Sequence, residues 1–403
     1  MATNRLHEIE AQGTAIWIDT LSRELLDEGT LERLIADDGV TGVTSNPTIF
    51  KKAMEDSERY DRQLREAISE TSDPRQVYFR VAFADTRDAC DLLRPVFERT
   101  DGRDGYVSFE LPPDLAYDVQ GSVDAAGWCR DEISRPNVLI KVPGTEQGVR
   151  AFEELTANGV NVNVTLLFSV LRYEEIGEAY LRGLERRVEK GQPIERSASV
   201  ASFFVSRVDT KIDQALEERG RPELRGKAAV ANAKLAYASF ARMFSGERWQ
   251  ALQARGAHVQ RPLWASTSTK NPAYPDTLYV DELIGPDTVT TMPDATLDAA
   301  RDHATAERSI DRDVEQAWAV LEQIRRAGVD ADEITLRQLV DEGVKAFAGS
   351  FEALIDTIEG KISNPVGLDR LGAGARQTPR SGAANAVEPK CRAGEYWIQG
   401  GAG

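Results

Sequence analysis

Short runs of β-branched and aliphatic residues alternate along the chain with longer stretches whose apolar positions recur every three or four residues. The first pattern suits a strand buried on both faces, the second a helix with one apolar stripe. Strands are expected at 16–19, 42–45, 106–110, 138–142, 160–165, 199–204, 263–266 and 288–292. Helices are expected between them, at 77–99, 145–157, 169–190, 224–244 and 297–326. Repeated strand–helix units specify a parallel sheet, and eight of them count out to a (β/α)8 TIM barrel, typically about 250 residues. The extra length of the 403-residue chain is assigned to additional helices at 57–69 and 335–359. An open doubly wound sheet would need a Gly-rich phosphate loop after its first strand, and none is present. From residue 366 onward Gly, Ala, Arg and Pro dominate and the periodicity stops. Residues 1–365 are therefore read as a single barrel domain and 366–403 as a disordered tail.

Composition narrows the function. Hydrophobic residues make up 41% and charged residues 29% of the chain, ordinary values for a water-soluble globular protein. No run approaches the roughly 18 apolar residues of a membrane span, and the N-terminus lacks the apolar core of a signal peptide. Cys90, Cys129 and Cys391 are few and scattered, which points away from disulfides and thiolate metal sites. A cytoplasmic setting is expected. The net charge of −17 argues against nucleic acid or an anionic membrane as a partner. Any anionic substrate must then be met by locally placed cations. His7, His258 and His303 stand far apart, with no ligand-like spacing, which argues against a histidine base or a multi-histidine metal centre.

Chemistry is suggested by where polar residues fall. Strands of a parallel barrel should be almost wholly apolar, yet most of these end in a hydrogen-bonding or ionisable residue. The C-terminal strand ends form the catalytic face of such barrels. Lys141, within Val138-Leu139-Ile140-Lys141-Val142-Pro143, has apolar neighbours on both sides. An ammonium there costs several kcal/mol to desolvate unless paired, which favours the neutral amine that attacks a ketone to form an imine. A structural ion pair, or a lysine reaching out of the barrel mouth, would account for it equally well. Glu110 ends the preceding strand. With neighbouring strands about 4.8 Å apart, it could serve an imine site as acid and base, or merely pair with Lys141. Asp19 is a second strand-end carboxylate, suited to take a hydroxyl proton during carbon–carbon cleavage or to cap the following helix. Thr44 and Asn46 sit in a segment that also reads as an Asn-Pro turn. Asn163 and Thr165 lie inside a buried strand, where an amide needs partners that a polyhydroxylated ligand would supply. Arg207, Ser266 and Lys270 follow strands six and seven, where barrel phosphate sites gather; a lone loop cation is more often plain surface charge.

The motifs WIDT, TSNPTIF, SFELPP, LIKVPGT, NVNVTLLFS, ASFFVSRVD and WASTSTKNP stand in order between residues 17 and 272, within a match that runs from about residue 16 to about 360. In these motifs the chain resembles the transaldolases, in particular their longer bacterial branch. The resemblance implies that Lys141 forms a Schiff base, and that Glu110 and Thr165 hold the water that shuttles protons. It implies that Asp19 serves the hydroxyl at the cleaved bond, and that Asn46 and Asn163, with Thr44 and Ser202, bind the dihydroxyacetone hydroxyls. Arg207, Ser266 and Lys270 would bind the phosphate. Where many members carry an Arg after the seventh strand, this chain has Lys270, which keeps the charge and lacks the planar fork. The resemblance further implies sugar phosphate substrates, no metal or organic cofactor, and a place in the non-oxidative pentose phosphate pathway. It leaves both monomer and homodimer open.

Three other readings compete with this one. A free fructose 6-phosphate aldolase would release dihydroxyacetone, and such relatives are shorter and tend to carry Tyr and Gln where this chain has Phe204 and Glu110. An apolar Phe204 cannot hydrogen-bond the catalytic water, which suits an enamine kept unprotonated until an acceptor arrives. A non-catalytic sugar-phosphate-binding barrel has no need of a buried amine flanked by carboxylates. A pyridoxal phosphate enzyme would use the lysine but not the array of amides and hydroxyls.

Overall fold

The computed structural model describes residues 4–56 and 58–363. The tail expected at 366–403, and Ser57 at the start of the helix expected at 57–69, lie outside the described residues. The strands are β1 (Thr14–Ile18), β2 (Val40–Thr44), β3 (Tyr106–Glu110), β4 (Val138–Pro143), β5 (Val162–Leu167), β6 (Ser199–Phe204), β7 (Arg261–Ala265) and β8 (Thr288–Met292). They pair in parallel in chain order, and β8 returns to β1, closing the expected (β/α)8 barrel.

Strand side chains alternate between the two faces, and the sequence uses the faces differently. Outward positions such as Ile140, Val142, Val162 and Val164 are fully buried beneath the helical ring, where they drive closure through the hydrophobic effect. Inward positions carry Asp19, Thr44, Ser108, Glu110, Lys141, Asn163 and Ser202, joined by hydrogen bonds across the lumen. Lower down, Trp17 fills the lumen and donates its Nε1–H to Asp104 at 2.9 Å. A Cβ on Gly42 would lie 2.3 Å from the Trp17 ring, so a small residue opposite the indole is a packing requirement.

Strands 106–110, 199–204 and 288–292 fall on their expected bounds, whereas the helices needed more correction. The stretch 297–326 is two helices, Asp294–His303 and Val314–Arg326. Between them Ser309 and Ile310 turn inward to bond Ile284 O, and Asp313 adopts a left-handed conformation at φ 59°. The expected helix 224–244 begins at Ala228, because Gly226 at φ 69° breaks the chain after a 3-10 turn at Pro222–Leu224. Asn46-Pro47 opens the helix Pro47–Asp56 instead of a simple turn, with Asn46 Oδ1 accepting the Ile49 N–H at 3.1 Å. This is an N-cap followed by proline at the first helical position.

The last described helix, Leu339–Ser363, follows a π-helical turn at Ile334–Gln338 and crosses the C-terminal end of the barrel. It packs on Pro47–Asp56, on Pro74–Arg99 and on the end of β5, with Thr48 Oγ1 donating to Ser350 Oγ at 2.9 Å. Gly343 makes the close approach possible, since a Cβ there would stand 2.9 Å from Leu166. The segment after β1 is anchored separately: Arg23 pairs with buried Asp85, which also accepts from Tyr60 and Gln63 at 2.7 and 3.0 Å. Among the described residues no helix is long and apolar enough to cross a membrane.

Gly42→Ala is expected to cost about 1–3 kcal/mol through overpacking against Trp17. Gly127→Ala should be neutral or stabilising by up to about 1 kcal/mol, because Gly127 lies in the helix Val119–Ile133 with nothing near its missing Cβ and glycine is a poor helix former. Thermal melts of the two variants check the contrast, and a Gly42→Ala melt at the wild-type temperature contradicts it.

Candidate active site

Lys141 is the second inward residue of β4, after Leu139, and only 5% of it is exposed. Its Nζ donates to Glu110 Oε2 at 2.9 Å and to the Ser45 carbonyl at 2.9 Å. The register Glu110↔Lys141 between β3 and β4 places the two side by side. Glu110 is 7% exposed. Burial pushes its carboxyl above the ordinary carboxylate range, although Lys141 pulls the other way. The pairing and the chemical reading of this couple are thus compatible: the same contact that neutralises the charges is a path for a proton.

Asp19 stands just past β1, its N–H bonded to Met292 O at 2.9 Å. The following helix, Arg23–Asp27, is capped by Ser22, whose Oγ accepts the Leu25 N–H. Asp19 is therefore not a helix cap. Its Oδ1 accepts from Thr44 Oγ1 at 3.0 Å. Burial raises its carboxyl as well, opposed by Lys141, Thr44 and Arg207. Thr44 also meets Thr291 Oγ1 at 2.8 Å. One hydroxyl holds one proton, so when Thr44 donates to Asp19, Thr291 must donate to Thr44.

Asn163 is fully buried. Its amide donates to Ser108 Oγ at 3.0 Å and accepts from Ser202 Oγ at 2.6 Å. Protein partners thus satisfy part of the demand that the sequence reading had assigned to a ligand. Thr165 is different: its Oγ1 is buried and has no hydrogen-bond partner among the described residues. An orphaned buried hydroxyl is costly, and it calls for a water or ligand. Immediately after it the strand breaks register between Val164 and Leu167, with Leu166 at φ 57°, a strained conformation for a side chain of that size.

The three phosphate candidates do not share one environment. Arg207, in the first turn of the helix Ser206–Glu218, is half-buried. Its guanidinium lies over the rings of Phe204 and Phe347 at 5.0 and 6.0 Å, and it makes no hydrogen bond or ion pair with any described residue. Burial lowers its affinity for a proton, while Asp19 and Glu110 oppose that shift, so its charge is felt at the mouth. Ser266, at φ 57°, is held by Ser206 with the two Oγ atoms 2.8 Å apart. Lys270 is exposed and donates to Ser268 Oγ at 2.6 Å, without contact to the Lys141, Glu110 and Asp19 group. Sequence reasoning missed Ser45, Ser108, Thr291 and Phe347. Ser45 contributes a backbone carbonyl just past β2, whereas Ser108 and Thr291 are small polar groups on inward strand positions that the alternation would have found.

Cavities of about 370 and 440 Å³ open at the opposite, N-terminal end of the barrel, lined by residues such as Tyr106, Arg261 and Asn161. Neither holds any of the groups above. Among the described residues no cluster of three or more His, Cys, Asp or Glu side chains is placed to hold a metal.

Fold and site together define a (β/α)8 barrel whose C-terminal mouth holds a buried lysine bonded to Glu110, with a second carboxylate, Asp19, in the same mouth. Residues 16–358 match the family model for transaldolase/fructose-6-phosphate aldolase. A transaldolase of Thiobacillus denitrificans is 49% identical over 88% of this chain and 99% of its own length. One from Acidothermus cellulolyticus is 48% identical over 87% and 95% respectively, and transaldolase 2 of a Nostoc species 44% identical over 90% and 98%. The chain belongs to the transaldolase/fructose-6-phosphate aldolase family.

Because burial raises the Glu110 carboxyl, the folded protein binds that proton more tightly than the unfolded chain does. The stability it contributes is complete below the ordinary carboxylate pKa and is lost as pH rises through the raised value. Glu110→Gln cannot ionise and escapes that loss. The melting temperature of Glu110→Gln relative to wild type should therefore climb as pH rises from the ordinary carboxylate range through the raised Glu110 value. A relative melting temperature that falls over this range contradicts the assignment.

Proposed function

We propose that this chain is a transaldolase, moving a three-carbon dihydroxyacetone unit between sugar phosphates through an imine on Lys141. The observation that carries the reading is the buried Lys141–Glu110 contact at 2.9 Å, with Asp19 in the same mouth. Relatives named transaldolase, matched over nearly their whole length, support it.

In this mechanism Lys141 first passes a proton to Glu110, freeing the nitrogen lone pair to attack the ketone of fructose 6-phosphate or sedoheptulose 7-phosphate. The carbinolamine hydroxyl then leaves as water, taking a proton delivered from Glu110 through a water held with Thr165. The resulting iminium draws electrons from the adjacent carbon–carbon bond. Asp19, in its anionic form, accepts the proton of the fourth-carbon hydroxyl. The bond between the third and fourth carbons breaks, and an aldose phosphate departs. The enamine left on Lys141 attacks the aldehyde of erythrose 4-phosphate or glyceraldehyde 3-phosphate, Asp19 returns its proton to the new alkoxide, and water hydrolyses the imine. Asn46 and Asn163, with Thr44 and Ser202, bind the hydroxyls of the retained unit, Asn163 through the part of its amide not taken by Ser108. Arg207 with Ser266 receives the phosphate, and an exposed Lys270 adds charge to the rim.

Phe204 favours transfer over release. It is 7% exposed and packs on Phe168 with ring centres 5.3 Å apart, so this wall offers no hydroxyl to protonate the enamine. The setting that follows from the reaction is the non-oxidative pentose phosphate pathway of the cytoplasm, with no metal or organic cofactor.

Borohydride added during incubation with fructose 6-phosphate should leave a dihydroxyacetone-sized adduct on the peptide bearing Lys141. Lys141→Arg should abolish the adduct and lower kcat on the order of 10³-fold or more, the scale set by removing a covalent nucleophile. Net turnover of fructose 6-phosphate should also require erythrose 4-phosphate as the acceptor. Absence of any adduct would sink Schiff-base chemistry, and free dihydroxyacetone produced without an acceptor would mark an aldolase instead.

A further inference from the structure

We propose that Phe347, on the helix Leu339–Ser363, is a positioning residue for phosphate recognition, holding the Arg207 guanidinium by its ring face. The inference rests on the assignment of Arg207 to the substrate phosphate and extends it to a residue 140 positions away in the chain.

Arg207 has no carboxylate, carbonyl or hydroxyl to fix its fork: no described residue bonds it. Arginine side chains are flexible, and ordering one at the moment of binding weakens the complex. Two aromatic faces take the place of hydrogen bonds. Phe204, on the wall of the lumen, lies 5.0 Å from Arg207 Cζ, and Phe347, on the crossing helix, 6.0 Å. A cation over a ring is attracted without consuming any N–H donor. All five donors of Arg207 therefore remain for a phosphate, which a salt bridge would not allow.

Phe347 is also placed firmly enough to position a partner. It is 7% exposed, and its helix is pinned on both sides. Gly343, one turn earlier, packs against Leu166 at the register break of β5, and Ser350 is bonded to Thr48. Tyr117 holds Asp341 at 2.9 Å, and Lys211 pairs with Glu342. The helix thus spans from the β2 end of the mouth, beside Asn46, to the helix that carries Arg207.

The test compares Phe347→Leu with Phe347→Tyr in the full chain. Leucine keeps apolar volume and loses the ring face; tyrosine keeps the ring. Phe347→Leu should raise KM for fructose 6-phosphate about three- to tenfold, the range of one partly desolvated cation–π contact. The preference for fructose 6-phosphate over unphosphorylated fructose, measured as a ratio of kcat/KM values, should fall by the same factor. Phe347→Tyr should restore both. Calorimetric titration with inorganic phosphate should show the matching loss in Phe347→Leu, a readout that needs no turnover. It separates this inference from the proposed reaction, whose own failure appears as wild type inactive with both sugars. An unchanged selectivity ratio with unchanged phosphate affinity overturns the role of Phe347, as does equal damage by the leucine and tyrosine variants.

Discussion

A charged pair sealed inside a barrel is the constraint on which the rest of this molecule turns. Lys141 and Glu110 are each almost without solvent, and removing water from two ions costs several kcal/mol apiece before their attraction is counted. The protein meets that cost with geometry. Adjacent strands in register set the contact at 2.9 Å, and the Ser45 carbonyl satisfies a second ammonium proton. A hydrophobic pair of the same volume would serve stability as well or better. Under the proposed reaction, retention of the ions is intelligible as the cost of moving a proton and exposing a lone pair.

That constraint propagates outward in layers. Thr44, itself bonded to Thr291, holds Asp19 on the opposite wall, while Ser108 and Ser202 hold Asn163 between them. Among the described inward residues of the lumen, Thr165 keeps an unspent hydroxyl. The lumen is therefore arranged so that most polar atoms are tied to protein and a few are left to be met by whatever enters. Local strain accompanies this arrangement, since both Leu166 and Ser266 take left-handed backbone conformations right beside Thr165 and Ser206, as expected where strain is stored at functional positions.

The barrel was legible in the sequence because strands that must be apolar on both faces make every polar inward residue conspicuous. Lys141, Glu110 and Asp19 stood out for that reason, and consecutive strand order implied their proximity. Arg207 and Lys270 looked alike as loop cations. Only tertiary structure separates them, since one is drawn under two aromatic rings and the other stays in solvent. The helix Pro47–Asp56 was hidden because Asn46-Pro47 reads equally as a turn and as a cap. The break at 304–313 was hidden because each side carries helical apolar spacing of its own, while the hydrogen bonds that interrupt it go to Ile284, well outside the segment. Phe347 carried no local mark at all, as an aromatic on an amphipathic helix is ordinarily core.

The crossing helix has a temporal meaning as well. Chains emerge from the ribosome N-terminus first and fold in units as they do so. Lys141, Glu110, Asp19 and Arg207 are all translated before β8 can close the ring on β1, and Leu339–Ser363 is added later still. A nascent chain halted before that helix would hold every reactive group yet lack the roof over Leu166 and Arg207. The pocket is thereby left unfinished until that helix has been made, so that a half-made polypeptide carries an ammonium and two carboxylates without the roof that covers them.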